Sequence, residues 1–336
     1  MKVSRLEQIT NGQEHQANQF ATDVLNGFCG VPKRLSARYF YDDTGSELFR
    51  AISQHQDYYL TRTEYAILDA ISTRLPGMLD KDEVDIIELG AGDGHKSELV
   101  LDGFLKAGVT INFYPIDISD KAMDMLGQTI RAKPNLHIQG LIGDYFDGLR
   151  FVRERSANRQ LVLFLGSNIG NFDRIQSQGF LRRLRASLND GDYVLIGFDL
   201  KKDITELMAA YSDSSHYTRD FNLNLLARIN RELGGNFDIS GFQHYPLYNP
   251  MLGAMESYLL ALREQHVYIE ALQREFFFSA FEPIHLEYSF KYLLADIECL
   301  SRQAGFTIVE NFTDPHARFI DSLWQVSQPR ERLIPG

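Results

Sequence analysis

A chain of 336 residues, 44% hydrophobic and 24% charged, has material for a substantial core and for two domains of ordinary size. Its net charge of -11 argues against nucleic acid or an anionic membrane as the main partner, since both call for basic surface. No apolar run approaches the roughly 18 to 20 residues of a membrane span, and the opening Met1-Lys2-Val3-Ser4-Arg5 lacks a signal core, so a cytoplasmic protein is expected. Cys29 and Cys299 offer neither metal spacing nor a disulfide framework and read as reduced and buried. The nine histidines fall at no ligand spacing, and no metal is expected.

In chain order, residues 1–36 carry helical periodicity, with Phe20, Val24, Leu25 and Phe28 at core spacing, and Gly30-Val31-Pro32 ends it. An aromatic cluster, Tyr39-Phe40-Tyr41, runs into Gly45 and a helix. In Tyr58-Tyr59-Leu60-Thr61-Arg62-Thr63-Glu64, Thr61 and Glu64 fit a capping box for the helix that follows. Tyrosines in such connections either pack with the hydroxyl at the surface or line a binding site.

From residue 64 to 200 strands and helices alternate. Val84-Asp85-Ile86-Ile87-Glu88-Leu89 reads as a buried parallel strand, and Gly90-Ala91-Gly92-Asp93-Gly94 as its turn into a helix over 95–107. Glycine at alternate positions permits φ > 0 and close approach of a ligand, and the helix start offers unpaired N–H groups. This turn can cradle a nucleoside. A strand at 111–116 ends in Asp117, which either takes two ribose hydroxyls or merely forms a turn. Leu136–Ile142 is a third strand, ending in Gly143-Asp144-Tyr145, where Asp144 can accept from an adenine amine and Tyr145 can stack on the ring. A helix over 120–133 and an apolar strand at 160–167 continue the pattern. Asn168-Ile169-Gly170-Asn171-Phe172, a helix over 175–188 and a strand at 192–199 follow. Such alternation predicts an α/β fold with a doubly wound, mostly parallel sheet, whose ligands bind at the carboxyl ends of the strands.

Beyond Asp199 the pattern changes to helices at 202–211 and 220–233, a Gly234-Gly235 stop, and strand-like runs at 237–248, 255–263 and 266–278. These predict a second, smaller α+β substrate lobe. A last helix at 292–304 and a strand at 306–311 return to the main sheet. The expected division is therefore 63–201 with 292–336 for the cofactor domain, and 1–62 with 202–291 for the lobe.

Glu88-x-Gly90-x-Gly92-x-Gly94 lacks the G-x-G-x-x-G spacing of a dinucleotide site and resembles motif I of class I S-adenosylmethionine (SAM) methyltransferases. Across nearly the whole chain the sequence also resembles the ergothioneine-pathway histidine Nα-methyltransferases. That likeness rests on Phe40-Tyr41-Asp42 with Gly45-Ser46-Glu47-Leu48-Phe49, on Tyr58 to Glu64, and on Glu88-Leu89-Gly90. Phe164-Leu165-Gly166-Ser167 with Ile169-Gly170-Asn171, Phe221-Asn222 with Asn230-Arg231-Glu232-Leu233, and Glu287-Tyr288-Ser289-Phe290-Lys291 complete it.

The resemblance implies transfer of methyl groups from SAM to the α-amine of histidine, giving S-adenosyl-L-homocysteine and, at the end, the betaine hercynine. It implies that Asn171 holds the substrate's amino acid backbone, Tyr211 the carboxylate, Tyr59 the pocket, and Tyr41 a place near the amine. Glu287 and Ser289 would bond the imidazole, while Gly90, Gly92, Lys96, Asp117, Asp144 and Tyr145 would hold SAM. At 256–258 the family's pocket-wall methionine is replaced by Ser257, with Met255 two residues earlier on the same strand face.

On the residues alone, Glu287 also reads as a solvated strand position and Asn171 as a helix N-cap. Ser167 lies in no G-x-S-x-G elbow, which argues against a hydrolase. The expected catalyst is a monomer acting on a small amino acid. The alternatives are ring-N methylation of 5-thiohistidine on the ovothiol route, a SAM-binding protein without catalysis, and a dinucleotide oxidoreductase.

Overall fold

A computed structural model of the chain describes residues 1–6 and 12–327, and only the backbone of 12–17. The parts of the expected divisions at 7–11 and 328–336 lie outside the described residues. The strands are β1 (Lys2–Arg5), β2 (Lys33–Arg34), β3 (Glu83–Leu89), β4 (Thr110–Asp117), β5 (Leu136–Ile142), β6 (Arg159–Phe164), β7 (Tyr193–Asp199), β8 (Phe242–Asn249), β9 (Ala254–Ala261), β10 (Gln265–Ile269), β11 (Arg274–Phe278), β12 (Pro283–Phe290), β13 (Phe306–Thr313) and β14 (Phe319–Val326). The helices are α1 (Gly12–Cys29), α2 (Asp43–Gln54), α3 (Tyr59–Ile71), α4 (Leu75–Leu79), α5 (His95–Lys106), α6 (Asp120–Thr129), α7 (Tyr145–Arg153), α8 (Arg174–Ser187), α9 (Ile204–Tyr211), α10 (Tyr217–Leu233) and α11 (Leu294–Ala304).

The chain forms two compact units: Met1–Leu6, Arg62–Lys201 and Tyr292–Gly336 make the first, Glu7–Thr61 and Lys202–Lys291 the second. In the first, eight strands run in the order β1-β5-β4-β3-β6-β7-β14-β13. All neighbours are parallel except β14, which is antiparallel to both β7 and β13. From β3 the order runs through β4 and β5 on one side and through β6 and β7 on the other, so β3/β6 is the switch point of a doubly wound sheet. The expected fold class holds. β3, β6 and β7 are buried almost end to end, which is why they read as apolar runs.

The second unit is built on a four-stranded sheet, β2-β12-β9-β8, and a β10–β11 hairpin. Its core joins Phe20, Val24 and Phe28 of α1 to Phe221, Leu225 and Ile229 of α10 and to Leu259, Phe278 and Ile284 of the strands.

Several expectations are corrected. Residues 2–5 belong to the large sheet, not to the lobe, because β1 pairs with β5 in parallel. No capping box forms at Thr61 and Glu64: α3 already starts at Tyr59, and Glu64 is spent inside the first unit. α6 ends at Thr129, four residues short of the expected stop. The run at 266–278 is two strands, turned where Gln273 adopts φ 47. α7 and β14 have no counterpart among the expected elements. Cys29 is exposed and Cys299 partly so, rather than buried. No helix among the described residues is long and apolar enough to cross a membrane.

Candidate functional site

At the carboxyl end of β3 the turn into α5 holds Gly90, Gly92 and Gly94 at φ 76, 54 and 79, the left-handed region that favours glycine. A Cβ on Gly90 would stand 2.8 Å from the Tyr145 hydroxyl, whereas one on Gly92 would meet nothing within 4 Å. The turn is therefore closed by Tyr145 at its first glycine and open at its second.

Asp117 ends β4 beside this turn. It accepts from the Ser119 N–H at 2.9 Å, and burial pushes its carboxyl up against the opposing pull of the Ser119, Gly92 and Ile118 N–H groups. At the end of β5, Asp144 caps α7 by accepting from the Phe146 N–H at 2.8 Å. Tyr145 begins that helix and meets Phe164 edge-on, with ring centroids 6.2 Å apart. Burial raises its phenol.

Lys96, in the first turn of α5, pairs with Glu64 at 2.6 Å, and the other Glu64 oxygen accepts from the Gly166 N–H at 2.6 Å. Burial alone would lower the Lys96 ammonium, but Glu64 holds it above its ordinary value. Asp321 of β14 lies beside them, and burial together with the Glu64 carboxylate pushes it well up. Glu88, hydrogen-bonded by Ser97, is pushed by burial up to about 8. Below the glycine turn thus lie three buried carboxyls and one ammonium.

A carboxyl raised from 4.5 to about 8 binds a proton in the fold that the unfolded chain has already released, so stability falls as pH rises through that window. Glu88→Gln is expected to lose less stability between pH 5 and 8.5 than the wild type. Thermal melts across that range check it, and equal slopes would contradict the assignment.

Ser167, at φ 56, accepts from the Asp199 N–H at 3.0 Å and leads into a short 3-10 turn over Asn168–Asn171. Asn171 is not the cap of the following helix: Asp173 is, in a capping box with Gln176. The bland reading of Asn171 is removed.

In the second unit, β9 and β12 pair so that Glu287 faces Ser257 and Ser289 faces Met255. Directly opposed residues share a face, and positions i and i+2 do too. All four therefore line one side of the sheet, and Glu287 is half-buried there: desolvation pushes its carboxyl up to about 7 while Lys291 draws it down. Ser257 and Met255 are buried, and Met255 packs in one cluster with Tyr59, Leu60 and Tyr211.

The Tyr211 hydroxyl lies 2.6 Å from that of Ser289, and the Lys291 ammonium donates to both, at 2.9 and 2.8 Å. Tyr59, fully buried, accepts from Lys202 at 2.6 Å. Tyr41 packs edge-on against Phe49 and Phe221. His244 lies 3.0 Å from the Tyr211 carbonyl and 3.0 Å from the Asn222 amide nitrogen. Since burial lowers its imidazole, it is a neutral ring that donates to the carbonyl and accepts from the amide.

Within the first unit the structure brings together Gly90, Gly92, Lys96, Asp117 and Tyr145 around one turn. Within the second it brings together Ser257, Glu287, Ser289 and Tyr211, with Tyr59 in the cluster under them. Glu64, Asp321, His244 and Lys291 were missed by the sequence reading. Glu64 and Lys291 stood inside quoted motifs; no spacing signals Asp321 or His244. Among the described residues, no group of three or more His, Cys, Asp or Glu side chains could hold a metal. A cavity of about 340 Å³ is lined by Phe146, Arg150, Arg153 and Arg183 and holds none of the expected site residues.

The family model described as a SAM-dependent, histidine-specific methyltransferase matches residues 20–326. The histidine N-alpha-methyltransferase of Mycolicibacterium smegmatis is 35% identical over 304 residues, covering 90% of this chain and 94% of that protein. Its counterpart from Mycobacterium tuberculosis is 33% identical over 320 residues, covering 95% and 98%. Ergothioneine biosynthesis protein 1 of Schizosaccharomyces pombe is 31% identical over 298 residues, covering 84% of this chain and 37% of that protein.

Proposed function

The chain belongs to the family of SAM-dependent, histidine-specific methyltransferases, and on that premise we propose that it methylates the α-amine of L-histidine, up to hercynine, in ergothioneine biosynthesis. The observation that carries the histidine assignment is the sheet face on which a half-buried Glu287 carboxyl and a buried Ser289 hydroxyl stand two residues apart. A ring with two nitrogens can bond both.

The first unit fits SAM. Its glycine turn is open where Gly92 would carry a side chain, and the Asp117 carboxyl stands beside it to accept from ribose hydroxyls. Asp144 takes the adenine amine, Tyr145 the ring, and Gly90 and Lys96 the remainder. When bound, SAM supplies an electrophilic sulfonium methyl.

Of the residues given to the substrate, Asn171 takes its amino acid backbone, Tyr211 its carboxylate, and Tyr59, Met255 and Ser257 the pocket wall. The α-amine attacks only when unprotonated, and Tyr41 is the residue assigned to take or relay its proton. Positioning contributes the larger share of the rate, since held geometry can supply several kcal/mol. A net charge of -11 supports a small-molecule substrate over nucleic acid or an anionic membrane; the proposed state is a cytoplasmic monomer.

Incubation with SAM and histidine, followed by mass spectrometry and NMR, tests the reading. Successive methyl increments on the α-nitrogen are expected. Methyls on a ring nitrogen, or none on histidine, would overturn it.

A further inference from the structure

Glu64 of α3 is 1% exposed, and its side chain fills the space over Gly197 of β7, where a Cβ would collide with Oε1. Both of its oxygens are engaged. Oε2 accepts from the Lys96 ammonium and Oε1 from the Gly166 N–H, each at 2.6 Å. These donors come from the connections that follow β3 and β6, the two strands at the switch point.

Asp321 is the residue of β14 directly opposite Gly197. Opposed residues share a face, so its side chain and that of Glu64 meet over one spot of the sheet. It is 0% exposed, and neither of its oxygens accepts a hydrogen bond among the described residues. We propose that Asp321 is a neutral carboxylic acid whose O–H donates to Glu64, and that the two are positioning residues: together they fix the Lys96 ammonium under the glycine turn for the methionyl carboxylate of SAM. This rests on the assignment of the first unit to SAM and deepens it.

An ionised Asp321 would be a second carboxylate set against the first, desolvated and without a donor, the costliest state for a buried charge. A neutral Asp321 has a proton to give, and a carboxylate that already accepts from two donors still has lone pairs to take it. Burial and the Glu64 charge both favour the neutral form, against the pull of Lys96. One proton thus satisfies both acids. Glu64 keeps its charge for Lys96, whose Nζ stands 3.3 Å from where a Cβ on Gly166 would lie, so a single carboxylate holds both connections. Lys96 falls to the part of SAM beyond its nucleoside, where the carboxylate is the group an ammonium recognises.

The test measures, by calorimetry, binding of SAM and of methylthioadenosine, which keeps the nucleoside and the sulfur but lacks the amino acid half. Glu64→Gln, whose amide turns an N–H toward one of the two donors, is expected to weaken SAM about tenfold to thirtyfold and methylthioadenosine by less than about threefold. A damaged fold would weaken both alike. Asp321→Leu, without a donor, should lose about tenfold for SAM, while Asp321→Asn, whose amide N–H replaces that of the acid, should stay within about threefold of wild type. The infrared difference spectrum of wild type minus Asp321→Asn at neutral pH should show the carbonyl band of a protonated carboxylic acid.

Absence of that band overturns the proton assignment, and so does a wild type in which isotope-labelled aspartate shifts no such band, a measurement that needs no substitution. A Glu64→Gln protein that binds SAM within about threefold of wild type, or loses both ligands equally, overturns the positioning role. A wild type that binds neither ligand removes the assignment of the first unit to SAM itself.

Discussion

Glu287→Ala is expected to lower kcat/KM for histidine about a hundredfold while leaving SAM affinity unchanged. The residue is a half-buried acceptor on the face shared with Ser257, Ser289 and Met255. Its removal leaves a ring N–H without its acceptor, a loss of about 1 to 3 kcal/mol or more when a charge is involved, and each 1.4 kcal/mol is about a factor of ten. Glu287→Gln keeps one acceptor oxygen and should lose only about tenfold. The stability effect runs the other way at alkaline pH. The carboxyl is lifted from 4.5 to about 7, so above that pH the fold holds a partly desolvated charge it disfavours, and the neutral glutamine should melt higher there. Steady-state kinetics with both variants checks the first claim, and a kcat/KM within threefold of wild type would remove ring recognition from Glu287.

Asp117→Ala should weaken SAM binding about thirtyfold to a hundredfold, read by calorimetry. Two roles compete for this side chain. As a turn-former it accepts from backbone N–H groups, the Ser119 N–H at 2.9 Å among them; as a ribose ligand it also needs a free acceptor and its charge. Asp117→Asn separates them, because asparagine keeps the turn oxygen and gives up the charge. Full recovery of affinity in the asparagine variant would leave Asp117 a turn residue only. Recovery of no more than a tenth of it is the expected outcome, since bonds to a charged acceptor are worth about twice those to a neutral one.

The parts of the fold that announce themselves are those whose sequence pattern comes from one dominant force. β5 is read to the residue at both ends because its Leu136, Ile138, Leu141 and Ile142 are bounded by Asn135 and Gly143. The glycine turn is legible because left-handed backbone excludes most other residues. β14 hides for the opposite reason: its eight residues, Phe-Ile-Asp-Ser-Leu-Trp-Gln-Val, place Asp321 and Ser322 in the core, and polar residues break an apolar run even where they are fully buried. α7 is masked by Gly148, kept small because a Cβ there would stand 2.3 Å from the Ile116 side chain, a fact of packing and not of helix propensity. β1 is four residues on the sheet's edge, too short to show a period.

In the candidate site, the residues that touch a ligand in the proposal are the ones a resemblance can point to. Those that hold them, Lys291 under Tyr211 and Ser289, His244 at the Tyr211 carbonyl, and Glu64 on Lys96, are visible only once distant strands and helices are brought within hydrogen-bond reach. Their spacing in sequence, 80, 33 and 32 residues, carries no periodic signal.

The place of β14 has a consequence for biosynthesis. It is the last described strand to leave the ribosome, yet it is bonded on both edges, to β7 and to β13. Until roughly the 326th codon has been translated and its residue has cleared the exit tunnel, β7 presents an open backbone edge flanked by apolar side chains, the template on which nascent chains associate wrongly. The intervening 202–291 segment, by contrast, emerges whole before that happens. A ribosome that stalls before β14 is complete would therefore leave the β7 edge unpaired on a chain whose 202–291 segment has already emerged.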